Sequence, residues 1–229
     1  MYDTEEMFSR YYVDPVTAQK NIPNKWKVKV NENGKAILLI MVQKCKKMIL
    51  DDIFNIGSVA LSNLWIEIEG PSEVITPLPG TSRSLPTWYW YITPHQLDSA
   101  WAVSLCSLVG VPAKHVKRIS LVGEQTEIRS GEVIEDESID ARYSWTEKIK
   151  RYPDPDIITG SHRLYGVFGG RETEAHVRCF THFLGESEVS LVATSNSSVA
   201  KLGFGTSLSG FSNPVWFKHC SVKYKVGFL

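Results

Sequence analysis

The sequence predicts a mainly β (or α+β) protein, an antiparallel sheet sandwich of jelly-roll type with one or two helices. Three observations predict it. Short runs of alternating or continuous apolar residues recur along the chain, punctuated by Gly, Pro, Asn and Asp. Only two stretches, about 51–62 and 94–109, carry helix signals. Strands do not alternate with helices as a doubly wound parallel sheet requires. The 229 residues suit one β-rich unit, and an apolar fraction of 43% with seven tryptophans supplies a core.

Residues 1–24 read as an irregular N-terminal arm, with two prolines and no sustained period, ahead of a single β-rich domain over 25–229. Phe8, Tyr11 and Tyr12 are the arm's anchors for a neighbouring surface. Over 25–30, Trp26, Val28 and Val30 alternate with Lys25, Lys27 and Lys29, and Asn33-Gly34 suits a type I′ turn. A hairpin is therefore expected, returning through "AILLIMV" as a strand buried on both faces. Residues 51–62 read as a helix capped by Asp51 or Asp52, which Gly57 weakens by ~1 kcal/mol relative to Ala. A strand, "LWIEIE", and a proline-rich loop over 70–86 follow.

"TWYWYI" reads as a strand with Trp88, Trp90 and Ile92 on one face and Tyr89 and Tyr91 on the other. Thr93 then fits an N-cap and Pro94 the first helical position. Leu97, Trp101, Leu105 and Leu108 would form one apolar stripe, ended by Gly110 and Pro112. The remainder reads as strands: "VKRISLV", "TEIRSGEVIE", a hairpin over 161–184 turning at Gly169-Gly170, "SEVSLVAT" and the terminal "VWFKHCSVKYKVGF". "EDESID" is an exposed acidic loop, and the small-residue run over 193–214 is the most flexible-looking segment.

Formal net charge is zero, which excludes a global basic field for DNA or membrane. Residues 1–50 hold nine basic and five acidic side chains, 51–140 hold five and thirteen, and 141–229 hold eleven and seven. Such basic ends and an acidic middle allow copies to meet through complementary patches. The four cysteines are widely separated, with no zinc or redox spacing. The N-terminus has no leader pattern, and the longest apolar run is too short for a bilayer. An intracellular location is the expectation.

Little in the sequence advertises chemistry. His176 and His182, separated by Cys179, would stand ~20 Å apart on a strand, too far to share a metal. "GFGTSLSG" lacks the helix that a phosphate-cradling loop opens. Cys106 falls in the second helix and is expected to pack. No catalytic residue, metal or cofactor is therefore assigned. Lys25, Lys27, Lys29, Lys35, Lys44, Lys46 and Lys47 are candidates for contact with phosphates of nucleic acid or lipid. Phe8, Tyr11, Tyr12, Tyr89 and Tyr91 are candidates for an interface.

The expectation is a non-enzymatic structural protein of viral matrix or coat type, acting by self-association on a phosphate-bearing surface. Its expected partners are further copies of the chain, nucleic acid or nucleoprotein, and a peripheral membrane surface. The first rival is a single-stranded nucleic-acid carrier of the viral movement type, in which the lysines converge with exposed aromatics. The second is an enzyme with a dispersed site, a histidine beside a carboxylate or thiol in a deep pocket.

Overall fold

Two long strands, β2 (Ala36–Leu50) and β3 (Phe54–Glu67), pair antiparallel and carry the rest of the molecule. The computed structural model describes residues 2–50, 54–70, 76–77, 84–85, 87–108, 110–122, 128–151, 157–168, 171–183, 185–212 and 215–226. The chain begins with β1 (Tyr2–Val13) and α1 (Pro15–Lys20). After β3 come β4 (Thr76–Pro77), β5 (Ser84–Leu85), β6 (Thr87–Ile92), β7 (His95–Leu97), α2 (Ala100–Leu108), β8 (Ala113–His115) and β9 (Arg118–Val122). Then follow β10 (Ile128–Asp136), β11 (Ala141–Arg151), β12 (Ile157–Phe168), β13 (Arg171–Phe183), β14 (Gly185–Ala193), α3 (Ser198–Lys201), β15 (Ser207–Ser212) and β16 (Val215–Val226). The protein is mainly β, as expected, although the sheet is mixed rather than purely antiparallel.

β2 pairs with both β1 and β3, so the path through β6, β12, β13 and β16 returns to β1 and closes a ring of seven strands. Two wings extend from this ring. One runs from β3 through β7 to β8, and the other from β1 through β15, β14, β11 and β10 to β9. The second wing folds over the outer face of β1, β2 and β3, and its edge strand β9 comes against β2 and β3.

Strand alternation divides the core accordingly. Phe8, Leu39, Met41, Leu61, Trp65, Trp90 and Leu164 pack together on the ring's inner side, with Ala102 and Cys106 of α2. Met7, Tyr11, Leu38, Ile40, Leu64 and Ile66 point the other way and meet Val133, Tyr143, Trp145 and Leu191 of the second wing. Gly131 makes one close approach possible. A Cβ there would stand 2.0 Å from the Trp145 indole, so the ring lies directly on the β10 backbone.

Several local expectations are corrected. Residues 2–13 are not an irregular arm but β1, paired with β2, β15 and β16. The following turn is a helix because Asp14 accepts from the Thr17 amide at 2.8 Å and Pro15 opens it. A turn forms over Asn31–Gly34, with Gly34 at φ +69°, but Asn33 is not at positive φ, so it is not the expected type I′ turn, and the lysine segment before it makes one bridge, Val28 to Ile68, rather than a hairpin. β2 pairs instead with β1 and β3, each along most of its length. The helix expected over 51–62 is absent where the chain is described: residues 54–67 are β3, with Gly57 at φ +84° beside a break in register. Residues 51–53 and most of the 70–86 loop lie outside the described residues.

The second helix begins later than expected, at Ala100, where Ser99 Oγ accepts from the Ala102 amide at 3.2 Å. Its buried side is Ala102, Leu105 and Cys106, while Trp101 and Leu108 are exposed. The small-residue run over 193–214 forms α3 and β15. The expected strand at 87–92 is β6, split as predicted: Trp90 and Ile92 join the ring core and Tyr89 and Tyr91 pack against the other.

Candidate active site: a lysine and a carboxylate between the wings

The register of four strands sets one wall. Val42 pairs with Ser62, Ser62 with Gln96, and Gln96 with Lys114. One rung therefore crosses β2, β3, β7 and β8, and the side chains of Ser62, Gln96 and Lys114 leave it toward the second wing. The pairing of β7 with β8 is parallel and needs a crossover, which α2 supplies. Val111 and Pro112 then deliver Ala113 and Lys114 to the edge.

The second wing answers with Tyr143 on β11 and Glu135 on β10. Ile134 pairs with Arg142 but Asp136 pairs with Ala141, so Glu135 is the extra residue of a β-bulge. Bulges re-aim side chains, and this one sends the Glu135 carboxylate into the gap. There it accepts from Gln96 Nε2 at 2.5 Å, from the Ser198 amide at 2.6 Å and from the Ser198 hydroxyl. Lys114 Nζ donates to Ser198 Oγ at 2.8 Å and lies 3.3 Å from Glu135 Oε1.

A directed chain stands behind this pair. Tyr143 donates its hydroxyl proton to Gln96 Oε1 at 2.7 Å. Its 2.6 Å contact with Ser62 Oγ must then be one in which Ser62 donates. Gln96 is thereby held with its amide N–H toward Glu135 and not its carbonyl. Burial drives the Tyr143 phenol well above its ordinary value, against the Ser62 hydrogen bond, and nearby Glu135 and Tyr11 add to the rise. Tyr143 stays protonated and can act only as a hydrogen-bonding group.

Exposure separates the members. Gln96, Ser62 and Tyr143 are buried; the Glu135 side chain is 8% exposed and the Lys114 side chain 41%. The amine is thus reachable from solvent, with a carboxylate beneath it. A cleft of about 230 Å³ opens one rung away, between β2, β3 and β9. Arg129 and Glu147 form a second ion pair on the same face, sealed from solvent, and Arg129 also donates to the Glu6 carbonyl at 3.0 Å. Among the described residues, no group of three or more His, Cys, Asp or Glu is placed to hold a metal ion.

The residues singled out from sequence are elsewhere. Lys25 lies 4.0 Å above the Trp26 ring, Lys27 pairs with Glu69 at 2.9 Å and Lys29 with Glu67 at 2.8 Å. Lys35 is exposed at the Asn31–Lys35 turn, and Lys44, Lys46 and Lys47 are exposed on β2. Glu67 and Ala60, the latter opposite Lys44, are seven residues apart on β3, about 23 Å at strand rise. The two lysine groups do not converge. Of the aromatics, Phe8 and Tyr11 are buried, Tyr12 is exposed against Phe211, and Tyr91 meets the Trp26 ring at a 51° tilt, centroids 5.2 Å apart. Tyr89 lies over Gly70. His176, Cys179 and His182 lie on β13. Cys106 packs in the ring core, its thiol pushed up to about 11 by burial.

No described helix is long and apolar enough to cross a membrane. No protein-family model matches the chain, and no curated protein sequence does. Solved structures do. An acetoacetate decarboxylase superposes with a TM-score of 0.59 at 11% identity, over 97% of this chain and 88% of that one. An acetoacetate decarboxylase-like enzyme from Sphingomonas wittichii RW1 gives 0.57 at 12% identity, over 99% and 89%. The enduracididine biosynthesis enzyme MppR, complexed with the condensation product of pyruvate and imidazole 4-carboxaldehyde, gives 0.54 at 13% identity, over 96% and 87%. These structural relatives are enzymes, which overturns the expectation of a non-enzymatic viral coat or matrix protein and of its nucleic-acid-carrying rival. The chain has the fold of acetoacetate decarboxylase-like enzymes.

Proposed function

We propose that the protein is an enzyme acting on a small carbonyl compound, a keto acid by class, through the amine of Lys114 with Glu135 as proton carrier. The observation that carries this is the reachable Lys114 amine, 3.3 Å from a largely buried carboxylate and hydrogen-bonded to Ser198. Structural relatives that include a decarboxylase of acetoacetate and an enzyme solved with pyruvate support the substrate class.

A lysine amine condenses with a carbonyl to give a protonated imine, which draws electrons from the adjacent bond. Glu135 takes a proton from Lys114, freeing the lone pair that attacks the carbonyl carbon. As the C–N bond forms, the carbonyl π electrons pass to oxygen, which takes a second proton from the attacking nitrogen to give a neutral carbinolamine. The carbinolamine then loses that oxygen as water, with Glu135 returning the proton. Ser198, donating to Glu135 and accepting from Lys114, holds the two groups apart and aligned. Gln96 and Tyr143 are positioning residues behind Glu135.

The test is reductive trapping. The protein is incubated with pyruvate and cyanoborohydride, digested and mapped by mass spectrometry. One adduct on Lys114, absent from Lys114→Met, is the expected result. No adduct, or adducts scattered over surface lysines, would rule Lys114 out as the nucleophile.

A further inference from the structure

Cys179 on β13 and Cys220 on β16 are 41 positions apart in the chain and directly opposite each other in the antiparallel ladder. The register is regular on both sides of them, with Arg178 against Ser221 and Phe180 against His219. Residues so placed share one face of the sheet, with Cα atoms about 4.5 or 5.5 Å apart according to whether the pair is hydrogen-bonded. A disulfide spans Cα separations of about 4.4–6.8 Å, so either kind of pair has the backbone spacing of one.

The other two cysteines have no such partner. Cys45 pairs with Thr4 on β1 and Val59 on β3, and Cys106 is buried on α2. On the other flank of Cys179, β12 presents Gly160, so that strand puts no side chain beside the pair. β13 and β16 are ring strands, and the chain between the two cysteines leaves the ring through β14, α3 and β15 before it returns. A bond between them would fasten both ends of the segment that carries Ser198.

We propose that Cys179 and Cys220 are a redox-responsive pair, joined as a disulfide by peroxide and parted again by a dithiol. The proposal is independent of the imine-forming role of Lys114. One thiolate attacks a peroxide oxygen, the O–O bond breaks, and a sulfenic acid and water result. The opposite thiol attacks the sulfenic sulfur, the S–S bond forms and the oxygen leaves as a second water. The two sulfurs give up two electrons, which reduce the peroxide. A dithiol returns them by exchange and is itself oxidised to a cyclic disulfide. A ladder spacing of about 4.5–5.5 Å lies on the short side of the commonest disulfide separation. Strained bonds of that kind are the labile, regulatory ones.

The experiment reduces the protein, removes the reductant, exposes it to hydrogen peroxide, alkylates it and digests it without reductant. Mass mapping should find one cross-link within the chain, Cys179 to Cys220, which dithiothreitol removes. Thiol titration in denaturant should fall from the four cysteines of the sequence to two. Closing a loop of this length should raise the melting temperature of the oxidised protein by about 5–15 °C over the reduced form. Cys220→Ser should lose both the cross-link and the shift. Four free thiols after peroxide, sulfinic acid on either cysteine without a cross-link, or a link formed only between chains overturns the proposal. The mapping needs the wild type alone, so it decides the matter even if Cys220→Ser fails to fold.

Discussion

Strand β10 carries two ion pairs on its inward face, and they teach opposite lessons. At one end Arg129 meets its cross-strand neighbour Glu147, with side chains 1% and 0% exposed. At the other end Glu135 meets Lys114, and the lysine is 41% exposed. The first pair is fully enclosed, with Ser187 donating to Glu147 at 3.3 Å. Its charges have nowhere to go and nothing to do but hold strands in place. The second pair joins a flexible amine at the surface to a carboxylate held by three protein donors. The same acid–base chemistry is structural where water is excluded and available for reaction where one partner is reachable.

The comparison can be broken most severely at Lys114. Lys114→Met should abolish trapping of pyruvate while costing no more than ~1 kcal/mol of stability, because a half-exposed pair is worth little; mass mapping and urea denaturation read the two effects. Arg129→Met should do the reverse. Leaving Glu147 charged and buried costs about 3–5 kcal/mol, and Arg129→Met with Glu147→Leu should recover much of it. A double-mutant cycle in urea checks this.

A pH series sharpens the same contrast between two buried titratable groups, Glu6 on β1 and His95 on β7. Burial pushes Glu6 up from 4.5 to about 7, against the hydrogen bond from Gln43 and the charge of Arg129. Its contribution to stability is whole below about 4.5 and is lost as pH rises through 7. Burial pushes His95 down from 6.5 to about 4, so its contribution is whole above 6.5 and is lost as pH falls through 4. The two oppose each other between 4.5 and 6.5 and leave the wild type nearly flat there. In Glu6→Gln, stability should climb with pH across that window by about 1.4 kcal/mol per unit. A slope unchanged from wild type, measured by denaturant titration, would count against a shifted Glu6.

Smaller effects follow. Tyr143→Phe leaves Gln96 Oε1 without its donor and should cost about 1–3 kcal/mol. It should also slow trapping more than it weakens substrate binding, which a purely structural loss would not do. The smallest change is expected on the outer face of α2. Trp101→Ser should stay within about 0.5 kcal/mol, whereas Leu105→Ala on the buried side costs about 2–5 kcal/mol.

Much of the fold was legible because strand alternation survives in the letters. The Trp88/Tyr89/Trp90/Tyr91 run divided between two cores as its period required. The 161–184 hairpin is β12 and β13. What failed was local signal overruled by partners. Asp51, Asp52 and the small residues after them mimic a capped helix, yet 54–67 pairs with β2 along almost its whole length. Asp14-Pro15 is itself a helix start, hidden inside a segment without period. The site was hardest to see. Glu135 reads as the first residue of an acidic loop, and only a bulge turns it inward. Gln96 reads as helical and lies on a three-residue strand. Lys114 and Tyr143 stand 29 positions apart, with nothing in either neighbourhood to signal that Gln96 links them.

The parallel pairing of β7 with β8 makes the site depend on a count. Between Gln96 and Lys114 the chain runs out through α2 and back, and only the number of residues decides which side chain arrives opposite Gln96. A shift of one residue would present Ala113 or His115 to Glu135 and turn the amine to the far side of the sheet. Insertions or deletions in the connection at 109–112 therefore act as a switch on chemistry rather than as a graded perturbation of stability.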